Sequence, residues 1–197
     1  MKLYDMELSG NCYKVRLLLS LLRVPYESIR VGYEKGEHKQ PEFLKLNPRG
    51  QLPVLDDGGF IVWDSMAILV YLAREYGDDA WLPTAPGAMA EVMQWLAVSE
   101  NEILYGLARA RAVKKFNRPW DLPQCQRMGE GALSVLDGQL ETREWLAADR
   151  PTIADIACYP YVALAPEGGI GLGDYASVNK WIGRIKALPG YVGMPGL

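Results

Sequence analysis

A proline stands directly in front of the short apolar run Val54-Leu55, and that placement limits the possible folds more than any other feature of the chain. Proline has no N–H to give to a strand ladder, so it belongs at a strand's first position or edge. Gln51-Leu52-Pro53 therefore reads as the approach to a strand, with the Leu52–Pro53 bond expected to be cis. Such an approach leaves the N–H and C=O of Leu52 free to pair with an extended peptide, as a strand partner would. Further on, Asp64-Ser65 precedes the strongly helical run Met66-Ala67-Ile68-Leu69-Val70-Tyr71-Leu72. The N–H groups of a helix start favour a carboxylate, and a neighbouring aspartate accepts an ammonium. Together the two segments describe a pocket for a short peptide that carries both an α-amine and an α-carboxylate.

The surrounding pattern alternates strand and helix. Residues 2–5 read as a strand. Residues 12–22 read as a helix with Val15, Leu18, Leu19 and Leu22 on one face, ended by Pro25. A strand over 26–31 and a short helix over 41–46, with Pro41 in its first turn, follow. Strands over 54–56 and 60–63 flank the hairpin signal Asp57-Gly58-Gly59. A helix over 65–76 has Gly77 as its stop. This βαβαββα order predicts a thioredoxin-like α/β domain over residues 1–76. Residues 77–88, with two prolines and two glycines, read as a linker. Residues 89–197 read as an all-α domain, with helices over 91–116, 124–145, 152–164 and 176–188. Thr152-Ile153-Ala154-Asp155 is a capping box at the head of the third of these, with Asp in place of the usual Glu.

Charge and cysteine content exclude several classes of function. Through Tyr76, five lysines and five arginines meet ten acidic residues, and the whole chain carries a net charge of −3. No basic face for nucleic acid is expected. No segment reads as a membrane span or as a cleavable signal. Cys12, Cys125 and Cys158 cannot all pair, and with a single histidine they show no metal-ligand spacing, so no metal is expected. A reducing cytoplasm is the default location.

Ser9-Gly10-Asn11-Cys12 marks the junction of the first strand and first helix, where thioredoxin-like redox proteins carry C-x-x-C. A hydroxyl forms no disulfide, so dithiol chemistry is lost and a hydrogen-bond donor at a helix start remains. These segments, in this order and spacing, resemble the cytosolic glutathione transferases. The opening Met1-Lys2-Leu3-Tyr4, Leu8–Arg16, Pro41–Pro48, Gln51–Leu55, Asp64–Ile68 and Pro151–Ala157 all take part. The Ser-Gly-Asn segment is most similar to bacterial theta-, zeta- or nu-like members. The resemblance implies glutathione as co-substrate, Ser9 or Asn11 as the catalytic donor to its thiolate, and a homodimer. It implies glutathione contacts from Asn11, His38, Gln51, Leu52, Pro53, Asp64 and Ser65. For His38, the only histidine, a solvated loop position is the competing reading, and Lys39 is a substitute. Cys12 is weighed as a nucleophile against a small buried hydrophobe, and Tyr4 as a thiol donor against strand packing.

The second substrate is expected between the domains. Tyr105 and Arg109, four apart on one helical face, are its candidate contacts. With Arg111 and Lys114 they suit an acidic or polar electrophile. A core tyrosine and a solvated basic face are the competing reading. Val92, Trp95 and Leu96 are candidate dimer contacts, with core packing an equal reading. The expected activity is attack of glutathione thiolate on an electrophile, or reduction of an organic hydroperoxide. A zeta-like cis–trans isomerase of maleyl diacids is the enzymatic alternative, although that pattern carries Ser-Ser-Cys at this junction. A non-catalytic binding module on the same fold is the alternative of a different class.

Overall fold

The computed structural model describes all 197 residues. Four strands, β1 (Lys2–Asp5), β2 (Glu27–Arg30), β3 (Val54–Asp57) and β4 (Phe60–Trp63), form one sheet in the order β2-β1-β3-β4. β1 pairs parallel with β2, and β3 runs antiparallel to both β1 and β4. Alternation along the strands assigns the two faces. Leu3 and Leu55 enter the main core with α1 (Gly10–Leu21) and α3 (Ser65–Tyr76). Tyr4 and Val54 point the other way, to Phe43 of α2 (Pro41–Leu46). β3 is an interior strand, and Pro53 stands just outside it, where its missing N–H costs no ladder bond. Leu52–Pro53 is cis, as the sequence leads one to expect.

The stretch after α3 is more ordered than its prolines and glycines suggest. It holds a short helix, α4 (Asp78–Trp81), and the next helix already begins at Pro86. Proline is at home in a first turn, where its lost N–H has no intrahelical partner to miss. The helical run over 86–116 is continuous but changes its winding. It comprises α5 (Pro86–Val98), a π-helical stretch (Ser99–Ala108) and α6 (Arg109–Phe116). Then follow α7 (Leu122–Thr142), α8 (Ile153–Ala163) and α9 (Ala176–Lys186). No helix is long and apolar enough to cross a membrane.

Val92, Trp95 and Leu96 are buried in the chain's own core, so packing rather than association explains them. The capping box forms as expected. Asp155 accepts from the Thr152 N–H at 2.9 Å, and its other oxygen takes the Leu146 N–H and the Trp181 indole N–H. Burial pushes this carboxyl's pKa up, and the hydrogen bonds oppose the push.

The two halves meet along α1 and α8. The Tyr161 ring lies so close to Gly10 that a Cβ there would come within 2.5 Å of it. Arg111 Nη1 donates to the Leu8 carbonyl at 2.9 Å, and the Tyr13 hydroxyl donates to the Val192 carbonyl at 2.6 Å.

Candidate active site

A cleft of about 790 Å³ opens between the α/β layer and the helical half. It brings together Ser9, Asn11, Gln51, Leu52, Pro53, Asp64 and Ser65 on one wall, and Tyr105 and Arg109 on the other. His38 and Tyr4 do not line it.

Ser9 is the N-cap of α1. Its backbone is extended (φ −80°, ψ 121°), and its Oγ accepts from the Cys12 N–H at 3.2 Å. The cap uses an acceptor lone pair and leaves the hydroxyl proton for another partner. The capping reading and the donor reading are therefore compatible. Gly10 is required by the close Tyr161 ring, so the helical half helps to hold this turn in place. Asn11 lines the cleft with its Oδ1 buried and without a partner. Cys12 is fully buried. Burial, then the Asp5 charge, push its pKa up to about 12, which leaves no thiolate near neutrality. Tyr4 packs edge-on against Phe43, with ring centroids 6.1 Å apart.

Neither the N–H nor the C=O of Leu52 takes part in a backbone hydrogen bond. Asp64 caps α3, with its Oδ1 accepting from the Met66 N–H at 3.0 Å. Its φ of 79° is a conformation that favours glycine. Holding a residue in such a region costs on the order of 1–3 kcal/mol, a cost that gathers at functional sites. Arg49 Nη1 lies 3.1 Å from the other Asp64 oxygen. Ser65 is buried beside it.

Across the cleft, one carboxylate oxygen of Glu100 is buried without a hydrogen bond, 4.0 Å from the ammonium of Lys14. Lys14 is fully buried. Its Nζ donates to Ser99 Oγ at 3.2 Å and lies 5.4 Å from the Tyr161 ring centroid. Burial lowers the Lys14 pKa to about 8, against the pull of Glu100, and burial raises that of Glu100.

His38 is buried behind the cleft wall, stacked flat on Tyr33 with centroids 3.9 Å apart. Burial and the charges of Lys39 and Arg118 lower its pKa. A buried imidazole that does not line the cleft is a poor partner for a carboxylate. Lys39, the substitute, donates to the Arg49 carbonyl at 3.0 Å. Gln51 lines the cleft and is exposed.

Tyr105 and Arg109 do share a face. The guanidinium carbon of Arg109 lies 4.1 Å from the Tyr105 ring centroid and 5.0 Å from that of Trp120. Arg118 lies over Tyr33 at 5.6 Å. Arg111 and Lys114 turn elsewhere. Arg111 is buried and ion-paired with Glu167, Lys114 lies against Gly169, and neither lines the cleft.

Sequence reasoning passes over Arg49, Glu100, Arg118 and Trp120. Arg49 stands two residues before Gln51 and was accessible as a charge next to a ligand segment. Arg118 and Trp120 lie in the break between helices, behind Asn117, whose left-handed φ of 52° ends α6. Only the folded chain brings that break to the cleft.

The family model described as the glutathione S-transferase N-terminal domain matches residues 1–74, and that of the C-terminal domain matches residues 106–189. A possible glutathione S-transferase from Rhodopseudomonas palustris superposes with a TM-score of 0.91 at 34% identity, covering 98% of this chain and 97% of the other. A glutathione S-transferase from Pseudomonas fluorescens gives the same TM-score of 0.91 and 34% identity, covering 98% of both chains. One from Xanthobacter autotrophicus gives 0.90 at 33%, covering 99% and 97%. With both domains matched in order along the same thioredoxin-like and helical halves, the chain belongs to the glutathione S-transferase family.

Proposed function

We propose that this chain binds glutathione in the α/β wall of the cleft and presents it as a thiolate to an electrophile, or to an organic hydroperoxide, held against the helical wall. The observation that carries the reading is Ser9. Its Oγ is tied to the α1 terminus as an acceptor while its proton stays available on the cleft side. Leu52 offers one N–H and one C=O to the peptide's backbone. Asp64, Ser65 and the α3 terminus take the γ-glutamyl end. Glu100 lines the same cleft and adds a second carboxylate for the ammonium. Gln51 and Pro53 complete the peptide's bed. His38 acts through Tyr33 in this reading, by packing.

The thiol of glutathione, like a free cysteine's, ionises near ~8.5. Bringing it about two units lower takes roughly 2.7 kcal/mol of differential stabilisation. A charge-assisted hydrogen bond contributes about 1.5–3 kcal/mol, and a helix N-terminus about 0.3–1 kcal/mol. Ser9 and α1 together reach that sum. Asn11 is the rival donor. Its side chain lines the cleft, and the oxygen of its amide is the atom buried without a partner.

Ser9→Ala should raise the bound-thiol pKa by roughly one to two units, at about 1.4 kcal/mol per unit. Turnover near neutrality should fall by roughly ten- to a hundredfold, following the hydrogen-bond loss, and recover in part at higher pH. A pH titration of thiolate absorbance in the glutathione complex checks this. Full rate and an unchanged profile in Ser9→Ala, with both lost in Asn11→Ala, would transfer the role to Asn11.

The same reading places the chain with the bacterial theta-, zeta- or nu-like members, in the cytoplasm and as a homodimer. Sedimentation at micromolar concentration tests the dimer. The retained Ser9, Asp64 and Ser65 favour catalysis over a purely binding role.

A further inference from the structure

We infer that the acceptor half of the cleft is built for a planar electrophile that carries a carboxylate, held in the plane of Arg109 with Arg118 at its rim. The inference rests on the transferase reading above and deepens it.

Arg109 is half-buried, with its guanidinium carbon 4.1 Å from the Tyr105 ring centroid and 5.0 Å from that of Trp120. The N–H donors of a guanidinium all lie in its own plane, so aromatic rings over it leave them free. That fork of N–H groups matches the two oxygens of a carboxylate. None of the chain's ion pairs uses Arg109 or Arg118. Asp121, three residues after Arg118, caps α7 through the Gln124 N–H at 3.0 Å. Arg111, the one buried arginine, is paired with Glu167, and the half-buried Arg184, also without an ion pair, gives an N–H to the Glu144 carbonyl. Arg109 therefore stands out as a cation that is positioned, partly desolvated and without an internal anion.

Besides Glu7, Arg30 and Glu34, two groups of charges lie along the cleft. Asp64 and Glu100 face Arg49 and Lys14 beside the peptide's bed. Arg109 and Arg118 lie among Tyr33, Tyr105, Phe116 and Trp120. Leu104, Ala108 and Ala112 line the cavity near Arg109 in sequence and offer an apolar surface for a flat body. A ligand suited to this end has an apolar planar body and one anionic end. In the reaction the glutathione sulfur forms a bond to the electrophilic carbon. With a halogenated acceptor, the carbon–halogen bond breaks and the halide leaves with the electron pair, while the thiol proton passes to solvent.

The test compares two probes of similar shape, 4-chloro-3,5-dinitrobenzoate and the neutral 4-chloro-3,5-dinitrobenzamide, at saturating glutathione. Each kcat/KM is divided by the uncatalysed rate constant for the same probe, which removes their difference in intrinsic reactivity. The wild type should favour the carboxylate by about tenfold or more, the size of one charge-assisted contact. Arg109→Gln should abolish most of that preference and Arg118→Gln a smaller part. Arg109→Lys should retain only a fraction, because an ammonium keeps the charge but not the planar fork. Turnover of the benzamide with no wild-type preference for the benzoate would overturn the acceptor inference alone. Turnover of neither probe would overturn the transferase reading and this inference with it.

Discussion

The two walls of the cleft are made differently. The α/β wall works through backbone and helix ends: the free groups of Leu52, the cap of Ser9 on α1, and the strained Asp64 at the head of α3. The helical wall works through side chains stacked across elements, with Arg109 of α6 held against Tyr105 of the π-helical stretch and Trp120 of the following break. The first wall is anchored mainly by turns that local sequence dictates, with the Ser9 turn also held by the Tyr161 ring. The second depends on where distant segments come to rest. That difference supports the proposal of a common ligand on the first wall and a variable one on the second.

The largest test of that division is Asp64→Ala. Losing a charge-assisted contact costs about 1.5–3 kcal/mol, so the glutathione dissociation constant should rise by roughly ten- to a hundredfold. Calorimetric titration reads it, and an unchanged constant would remove Asp64 from the peptide's bed. Gly10→Ala comes next. The added Cβ, 2.5 Å from the Tyr161 ring, must displace that ring or the α1 start. Overpacking of this kind costs about 1–3 kcal/mol, visible as a lower denaturant midpoint. A neutral outcome would show that the seam yields.

Lys14 gives a smaller, pH-dependent effect beneath both walls. Its folded pKa of about 8 lies below its ordinary 10.5, so between these values the unfolded chain holds the proton more tightly. Stability from this group must therefore rise with pH across that window, with the penalty full below 8. Burial of Cys12 acts in the opposite sense at higher pH, since its pKa is raised from 9.0 to about 12. The stability difference between wild type and Lys14→Met isolates the lysine. It should shift in favour of wild type by about 1 kcal/mol between pH 8 and 9, and a flat difference would contradict the assignment. The smallest effect belongs to the helical wall. Trp120→Leu removes one of the two rings beside the Arg109 guanidinium, a contact of about 0.5–1 kcal/mol. KM for the carboxylate-bearing probe should rise by roughly two- to fivefold, with the glutathione KM unchanged.

The same division explains what the sequence made legible. The order of strands and helices to Tyr76 could be read because Pro41, Asp57-Gly58-Gly59 and Gly77 act on their immediate neighbours. The capping box at Thr152 is local for the same reason. Across 77–88, composition misleads. Two prolines and two glycines suggest a linker, yet Pro86 opens α5 and a short helix precedes it. On the long helix, spacing put Tyr105 and Arg109 on one face, but it also grouped Arg111 and Lys114 with them. Glu167, which takes Arg111 away, is 56 residues distant. The wider winding over Ser99–Ala108 leaves no mark that a period of 3.6 residues reveals. His38 enters as a glutathione contact only through the family resemblance, and its stack on Tyr33 leaves no sequence signal.

The contact of Tyr161 with Gly10 bears on how such chains can be recombined. With the Arg111 bond to Leu8 and the Tyr13 bond to Val192, it joins the halves without slack. Neither half is then a free module. Exchanging halves between relatives must carry residues 10 and 161 as a matched pair, because a side chain added at one needs room surrendered at the other. The turn that presents Ser9 is in this sense the shared property of both halves, and its shape is inherited from a residue 152 positions downstream of the serine it serves.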